Sequence, residues 1–358
     1  MVYEELLAAA VPPLIEWYAN NRRTDLPWRK DLSPYRVWIS EIMLQQTRVE
    51  TVVPYYERFL RHLPDVASLA AVPDDELMKL WEGLGYYSRA RNLKKAAGIV
   101  MAEYGGELPR TAETLRRLPG IGDYTAGAIA SIACGAPEPA VDGNVLRVLA
   151  RLTESDDDVT KEKTKKQVSE QLRKVYPSGR EAGLLTEGLM ELGETVCLPN
   201  GTPLCPLCPW KELCLCHAHG TEDLYPMRTA KKERRTEELT VLLLEKQGTF
   251  ALCRRPASGL LAGLWQLPNV PGALTKDGVL RAVGGLGLVP ESVRAAGRSR
   301  HLFTHVEWNM TGWHIQCRDG DSGAENGLSW FAPDQIRTGV ALPSAFRFWR
   351  QKITENGD

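Results

Sequence analysis

The sequence lacks a dominant charge. Lys and Arg number 44 against 45 Asp and Glu, a formal net charge of −1. Whole-chain charge therefore argues neither for nor against nucleic acid and leaves that question to local patches. Any apolar run approaching the span of a bilayer is missing as well. The opening MVYEELLAAAVPPLIEWY begins acidic, has its apolar stretch broken by Pro12-Pro13, and carries no basic segment of the secretory kind. No membrane role is expected, and a reducing, cytoplasmic setting (nucleoid-associated in a bacterium) is the default expectation. No internal repeat is evident. What remains is a 358-residue chain of average apolar and charged content, long enough for two domains with separate cores.

Apolar residues recur at helical spacing through most of residues 1–218, as in YRVWISEIMLQQTRVETVVPYYERFLRHL and DDELMKLWEGL. Strong alternation of the strand type is absent before residue 239. Residues 219–236 are polar and aperiodic and read as a linker; KKERR (231–235) within it reads as a polyanion contact or, more commonly for so short a tract, a solvated charge run. From there the texture changes: LTVLLLEKQGTFALCRR reads as strand, turn and strand, and TKDGVLRAVGGLGL and PSAFRFWRQKI read as helices. The expected organisation is an all-α region over 1–218, a linker over 219–236, and an α+β domain with a mixed or antiparallel sheet over 237–358.

Five of the eight cysteines fall within residues 197–216, a clustering that favours metal over disulfide in a reducing setting. Cys197, Cys205, Cys208 and Cys214 run C-x7-C-x2-C-x5-C. Zinc is the generic occupant of four thiolates. The spacing is not that of two paired knuckles, which tilts the reading toward a [4Fe–4S] cluster. Cys216 reads as a spare thiol, with His217 and His219 as rival ligands; Cys134, Cys253 and Cys317 read as small buried hydrophobes.

Ahead of the cysteines, LPGIGDYTAGAIA (118–130) sets two glycines before a helix rich in small residues. Such a turn leaves backbone N–H groups free for a phosphate, and it serves equally as a plain corner between helices. In PEPAVDGNVLRVLARL, Val145, Val148, Leu149 and Leu152 form a stripe that starts a helix near Asp142. Asp142 is then a natural N-cap, and the helix N-terminus should keep its pKa low. Glu41 lies in VWISEIMLQQT with Val37, Trp38 and Leu44 among its helical neighbours. Burial there should raise its pKa and keep a proton available. Two acids pushed in opposite directions suit cleavage of a glycosidic bond: one protonates the leaving group and the other steadies an oxocarbenium-like sugar.

Together, SEIMLQQTRVETV, WEGLGYYSRARNL, LPGIG, VDGNVLRV and the four cysteines resemble the helix-hairpin-helix DNA glycosylases. Within that superfamily they are similar to the MutY family, adenine glycosylases acting opposite 8-oxoguanine. The resemblance implies a monofunctional repair enzyme that hydrolyses the N-glycosidic bond of adenine paired with 8-oxoguanine or guanine in double-stranded DNA, acting as a monomer. By the same resemblance Glu41 protonates adenine, Asp142 stabilises the sugar cation, and Asn144 supports Asp142 and the attacking water. Tyr124 occupies the position where the related endonuclease III has a lysine nucleophile, so no efficient lyase step is expected.

The DNA-contacting set implied is Gln46 as an inserted side chain with Thr47 beside it, Tyr86 as a wedge, and Leu118, Gly120 and Gly122 at the turn. Arg29, Leu44 and Glu187 line the adenine pocket; read without the resemblance, Arg29 serves as a phosphate contact and Glu187 as a helix-surface charge. The C-terminal region resembles a Nudix fold, yet residues 246–290 hold no glutamate and only Asp277, which disfavours pyrophosphohydrolase chemistry. The family's Phe-Ser-His lesion-probing loop is here Phe303, Thr304 and His305. The family's first cysteine gap is six residues against seven here, an insertion that the turn-rich LPNGTP can absorb. The competing readings are a glycosylase for another mispair, a non-catalytic damage-binding protein, and a nucleotide hydrolase.

Overall fold

A computed structural model of the chain describes residues 3–230, 233–319 and 327–355. Lys231 and Lys232 of the basic run lie outside them. The chain packs into two compact units: Met1–Val72 with Arg91–Ala230, and Pro73–Ala90 with Lys231–Asp358.

The first unit is helical. Its helix Tyr3–Asn21 runs through Pro12 and Pro13 rather than breaking there. Burial of Leu6, Leu7, Leu14 and Tyr18 on one face outweighs the lost backbone bonds, as tertiary packing commonly does for helix stability. That face packs against the helices Arg180–Thr195 and Glu162–Val175, and the helix Gly143–Thr153 packs on Arg180–Thr195 in turn, in one core that includes Val145, Val148, Leu149, Leu152, Leu185, Leu189 and Leu192. The expected stripe is therefore the observed core face. Asp142 caps the helix Gly143–Thr153 by accepting from the Val145 N–H at 2.8 Å. The link after the cysteines is anchored to this unit: Arg151 Nε donates to the Glu222 and Tyr225 carbonyls at 3.0 Å each, and the Tyr225 hydroxyl reaches Asp156 at 2.8 Å.

In the second unit the described residues form seven strands: β1 (Arg235–Lys246), β2 (Thr249–Arg254), β3 (Trp265–Gln266), β4 (Asn269–Pro271), β5 (Leu288–Leu302), β6 (Val306–Asp319) and β7 (Leu328–Phe331). β1 lies parallel to β6, and the other pairs are antiparallel, giving the order β3-β2-β1-β6-β5 with β4 on β1 and β7 on β2. The sheet is mixed. Both of its faces are covered, which explains why VLLL (241–244) in β1 is continuously apolar. Leu242 and Leu244 share a core with Val279 and Val283 of the helix Lys276–Gly285. Val241 and Leu243 face the opposite core with Trp349 and Ile353 of the helix Arg347–Glu355.

Candidate active site

Glu41 sits in the helix Pro34–Leu44, where seven other residues are buried with it. Its own exposure is 6%. Burial pushes its pKa up to about 7, a hydrogen bond from Tyr124 pulls against that rise, and the charge of Asp142 adds to it. The Tyr124 hydroxyl donates to Glu41 Oε2 at 2.6 Å. The same burial, with Glu41 and Asp142 nearby, holds the phenol pKa well above its usual value, so Tyr124 stays a donor. Met190 was not foreseen; its Sδ lies 3.7 Å from the same hydroxyl.

Asp142 departs from expectation. Its pKa is raised, because desolvation outweighs the Val145 and Asn144 donors and the Arg147 charge that favour the anion. A cap geometry was legible in the sequence; the depth of burial was not. Asn144 Nδ2 donates to Asp142 Oδ2 at 3.1 Å. Its own Oδ1 accepts from Arg147 Nη2 at 2.8 Å, and Arg147 also donates to the Gly193 carbonyl at 2.7 Å and the Cys197 carbonyl at 2.9 Å. Arg147 and Arg151 interrupt an apolar run at four-residue spacing, the signal that could have revealed this buried network. Close packing supports it: a Cβ at Gly193 would stand 2.7 Å from Asn144 Cβ.

Arg29 and Glu187 do approach each other, at 3.8 Å, with both side chains largely buried. Glu187 is thus not a helix-surface charge, and burial raises its pKa. Arg29 is held from behind by Glu191, which accepts from Arg29 Nη2 at 2.7 Å and from Arg23 through two bonds of 2.7 Å. Burial works against the Glu191 charge, but the two guanidinium groups overcome it and lower its pKa to about 2.

Leu44 ends the helix that carries Glu41 and is half-buried. Gln46, two residues on, is exposed with φ +58, a backbone state costing a non-glycine residue on the order of 1 kcal/mol. The Thr47 N–H closes the turn on the Leu44 carbonyl at 3.2 Å. In the LPGIG turn the Ile121 N–H donates to the Leu118 carbonyl at 3.2 Å, and Gly120 has φ +80, the conformation a type II turn needs at its third position. Only Gly120 requires glycine: a Cβ there would meet Asn92 at 2.7 Å, whereas one at Gly122 would meet nothing. The Leu118 side chain is buried, leaving only its backbone at the turn.

Cys197, Cys205, Cys208 and Cys214 line one cavity together with Arg151, Lys211, His217 and Glu222. Arg151 Nη1 donates to Cys197 Sγ at 3.3 Å, and the Trp210 N–H donates to Cys208 Sγ at 3.4 Å. These donors would stabilise thiolate charge, so the residues fit a metal centre. Cys205, His217 and Glu222 also form a smaller group with metal-ligand spacing, in which His217 Nδ1 lies 2.8 Å from Glu222 Oε1. His219 instead pairs with Glu154 at 2.6 Å. Of the isolated cysteines, Cys317 is buried as expected, while Cys134 and Cys253 are half-buried.

In the second unit, the Phe303 N–H donates to the Val306 carbonyl at 2.8 Å, leaving Thr304 and His305 at an exposed hairpin tip. Phe303 packs edge-on to His301 and Trp308, with centroids 4.6 and 4.8 Å away. The Tyr86 ring is exposed on a backbone of φ +47, and its hydroxyl lies 2.5 Å from Thr304 Oγ1. The helix Lys276–Gly285 carries a single acid, Asp277.

A helical unit that carries Glu41 and Asp142, in a chain that also holds a Nudix-like sheet, points to a DNA glycosylase of the helix-hairpin-helix class. Residues 39–177 match the HhH-GPD superfamily of base excision DNA repair proteins, and residues 240–349 match the NUDIX domain. The Adenine DNA glycosylase of Homo sapiens is 33% identical over 402 residues, spanning 94% of this chain and 73% of that protein. The Mus musculus Adenine DNA glycosylase is 37% identical over 427 residues, spanning 97% and 82%. A solved thermostable thymine-DNA glycosylase superposes with a TM-score of 0.54 and 28% identity, over 60% of this chain and 98% of that one. The chain belongs to the adenine DNA glycosylase family, and it is a DNA N-glycosylase that binds DNA. Among the described residues no helix is long and apolar enough to cross a membrane.

Proposed function

We propose that this chain removes adenine paired with 8-oxoguanine or guanine, by hydrolysis and without an efficient lyase step. The observation that carries this reading is Glu41, buried and hydrogen-bonded by Tyr124, at a pKa that keeps a proton near neutrality. An adenine turned out of the duplex receives that proton on its ring nitrogen N7. The N-glycosidic electron pair then leaves with the base, and the sugar becomes a cation at C1′. Asp142 faces that cation with its carboxylate, whose charge is favoured by the Val145 and Asn144 donors and further by the cation itself. Water adds to C1′, assisted by the Asp142–Asn144 pair, and its proton passes to solvent. The products are free adenine and an abasic site. Tyr124 has no amine, so no Schiff base forms at that position.

Arg29 and Glu187 would line the base pocket, with Leu44 at its edge. Gln46 and Thr47 would enter the duplex beside it, and the turn through Leu118, Gly120 and Gly122 would hold a phosphate. Tyr86 with Phe303, Thr304 and His305 would face the base opposite the target, and the chain would act as a monomer.

Cys197, Cys205, Cys208 and Cys214 would hold a [4Fe–4S] cluster, which supplies a structural brace when bound rather than chemistry at the base. Zinc is the competing occupant, for which Cys205, His217 and Glu222 already stand together.

A panel of labelled duplexes carrying adenine opposite 8-oxoguanine, guanine or thymine, and thymine opposite guanine, tests the reading. Release of adenine from the first two pairs, with the strand intact until alkali is added, is the expected result. Release of thymine alone, or strand scission concurrent with base loss, would overturn it.

A further inference from the structure

Pro73–Ala90 lies far from the Nudix-like domain in sequence, yet the two form one compact unit. Charged contacts account for this. Glu82 Oε1 accepts from the Leu342 N–H at 3.0 Å and from Arg350 Nη1 at 2.5 Å, while its Oε2 accepts from Lys79 Nζ at 2.8 Å. Lys79 Nζ also donates to the Arg337 and Val340 carbonyls, at 3.2 and 3.1 Å, and Arg350 Nη2 donates to the same Arg337 carbonyl at 2.7 Å. Side-chain exposures of 15% for Glu82 and 23% for Arg350 take this ion pair out of the class of fully solvated pairs that contribute little. Asp75, by contrast, meets Arg254 through two bonds of 2.6 and 2.8 Å with both side chains exposed.

Glu82 stands four residues before Tyr86. Gly83 and Gly85 lie between them with φ +104 and +71, so the intervening backbone has little stiffness of its own. The place of Tyr86 therefore depends on the side chains that tie down this stretch. On the far side Arg89 Nη2 donates to the Leu84 and Gly85 carbonyls at 3.1 Å each. On the near side Trp81 Nε1 donates to the Gly85 carbonyl at 3.1 Å, and Glu82, the next residue, ties this stretch to Leu342 and Arg350.

We propose that Glu82 is a positioning residue: by latching Pro73–Ala90 onto Leu342 and Arg350 it holds Tyr86 against Thr304, so that wedge and hairpin tip meet the base opposite the target as one piece. The inference rests on the reading that Tyr86 and residues 303–305 face that base. It assigns the discrimination between opposite bases partly to a carboxylate that touches neither DNA nor the reacting atoms.

The test uses the full chain with Glu82→Ala and with Glu82→Gln, which keeps the shape and the acceptor for Leu342 but removes the charge. Amide exchange is followed across residues 83–90 and 303–306 in the DNA-free protein, and single-turnover adenine release is measured opposite 8-oxoguanine and opposite guanine. Exchange in both segments should quicken by roughly tenfold in Glu82→Ala and less in Glu82→Gln. The preference for 8-oxoguanine over guanine should fall by roughly tenfold, while Asp75→Asn moves neither quantity. Unchanged exchange in a normally folded Glu82→Gln protein would overturn the latch. Faster exchange with the preference intact would overturn the positioning role. A wild-type chain with no preference between the two opposite bases would instead overturn the reading of this unit, and exchange would still judge the latch.

Discussion

At the scale of single residues, Glu41 and Tyr124 form a donor–acceptor pair whose state depends on pH. Burial raises the Glu41 pKa to about 7 while the Tyr124 bond restrains the rise. The proton-bearing form dominates below that value, so base release should be level in mild acid and decline through neutrality toward tenfold per pH unit. In Tyr124→Phe the restraint is gone, the carboxyl pKa rises further, and the declining limb should move to higher pH. Single-turnover rates across the range check both; a limb that moved to lower pH would contradict the assignment. Asp142 separates two roles in another way. Asn is also a good N-cap, so Asp142→Asn should alter thermal stability by less than about 1 kcal/mol. With the carboxylate charge gone, release should slow by on the order of a thousandfold.

Among the elements, the approach of the helix Arg180–Thr195 to the helix Gly143–Thr153 is set by a missing side chain. Gly193→Ala would drive a Cβ to 2.7 Å from Asn144 Cβ and 3.1 Å from Arg147 Nη2. The expected cost is about 1–3 kcal/mol in denaturant unfolding, with slower base release because Asn144 is displaced. Gly122→Ala is the counterpart: φ is −91 and the site is open, so stability should be kept.

These contacts also mark where sequence reasoning stops. Periodicity located the helices and the stripe Val145–Leu152, because each follows from local repeats that burial then rewards, and β1 was legible as a strand though not as one covered on both faces. Glu41 among apolar neighbours was legible for the same reason. The raised pKa of Asp142 was not, since local spacing reports the cap but not how deeply later packing buries it. Pro12-Pro13 breaks the apolar stretch in the sequence but not the helix Tyr3–Asn21, because a core supplied from distant helices overrides a local breaker. Likewise the Glu191 clamp on Arg29 and the Glu82 latch join residues far apart in sequence, and no local pattern encodes such pairs.

For the whole molecule, the chain divides its tasks. The first unit holds Glu41, Asp142, Tyr124 and the four cysteines, and the second holds Tyr86 with Phe303, Thr304 and His305. Metal content should follow the cysteines: purified protein is expected to be yellow-brown with about four iron atoms per chain, and Cys208→Ala to lose both colour and iron. A colourless protein carrying zinc would contradict the cluster. The central claim, that a proton on Glu41 drives adenine release, is tested most directly by single-turnover release of adenine opposite 8-oxoguanine, comparing wild type with Glu41→Gln at equal fractions of bound duplex. The account predicts unimpaired binding and a rate lower by at least about a thousandfold; turnover at the wild-type rate would contradict it.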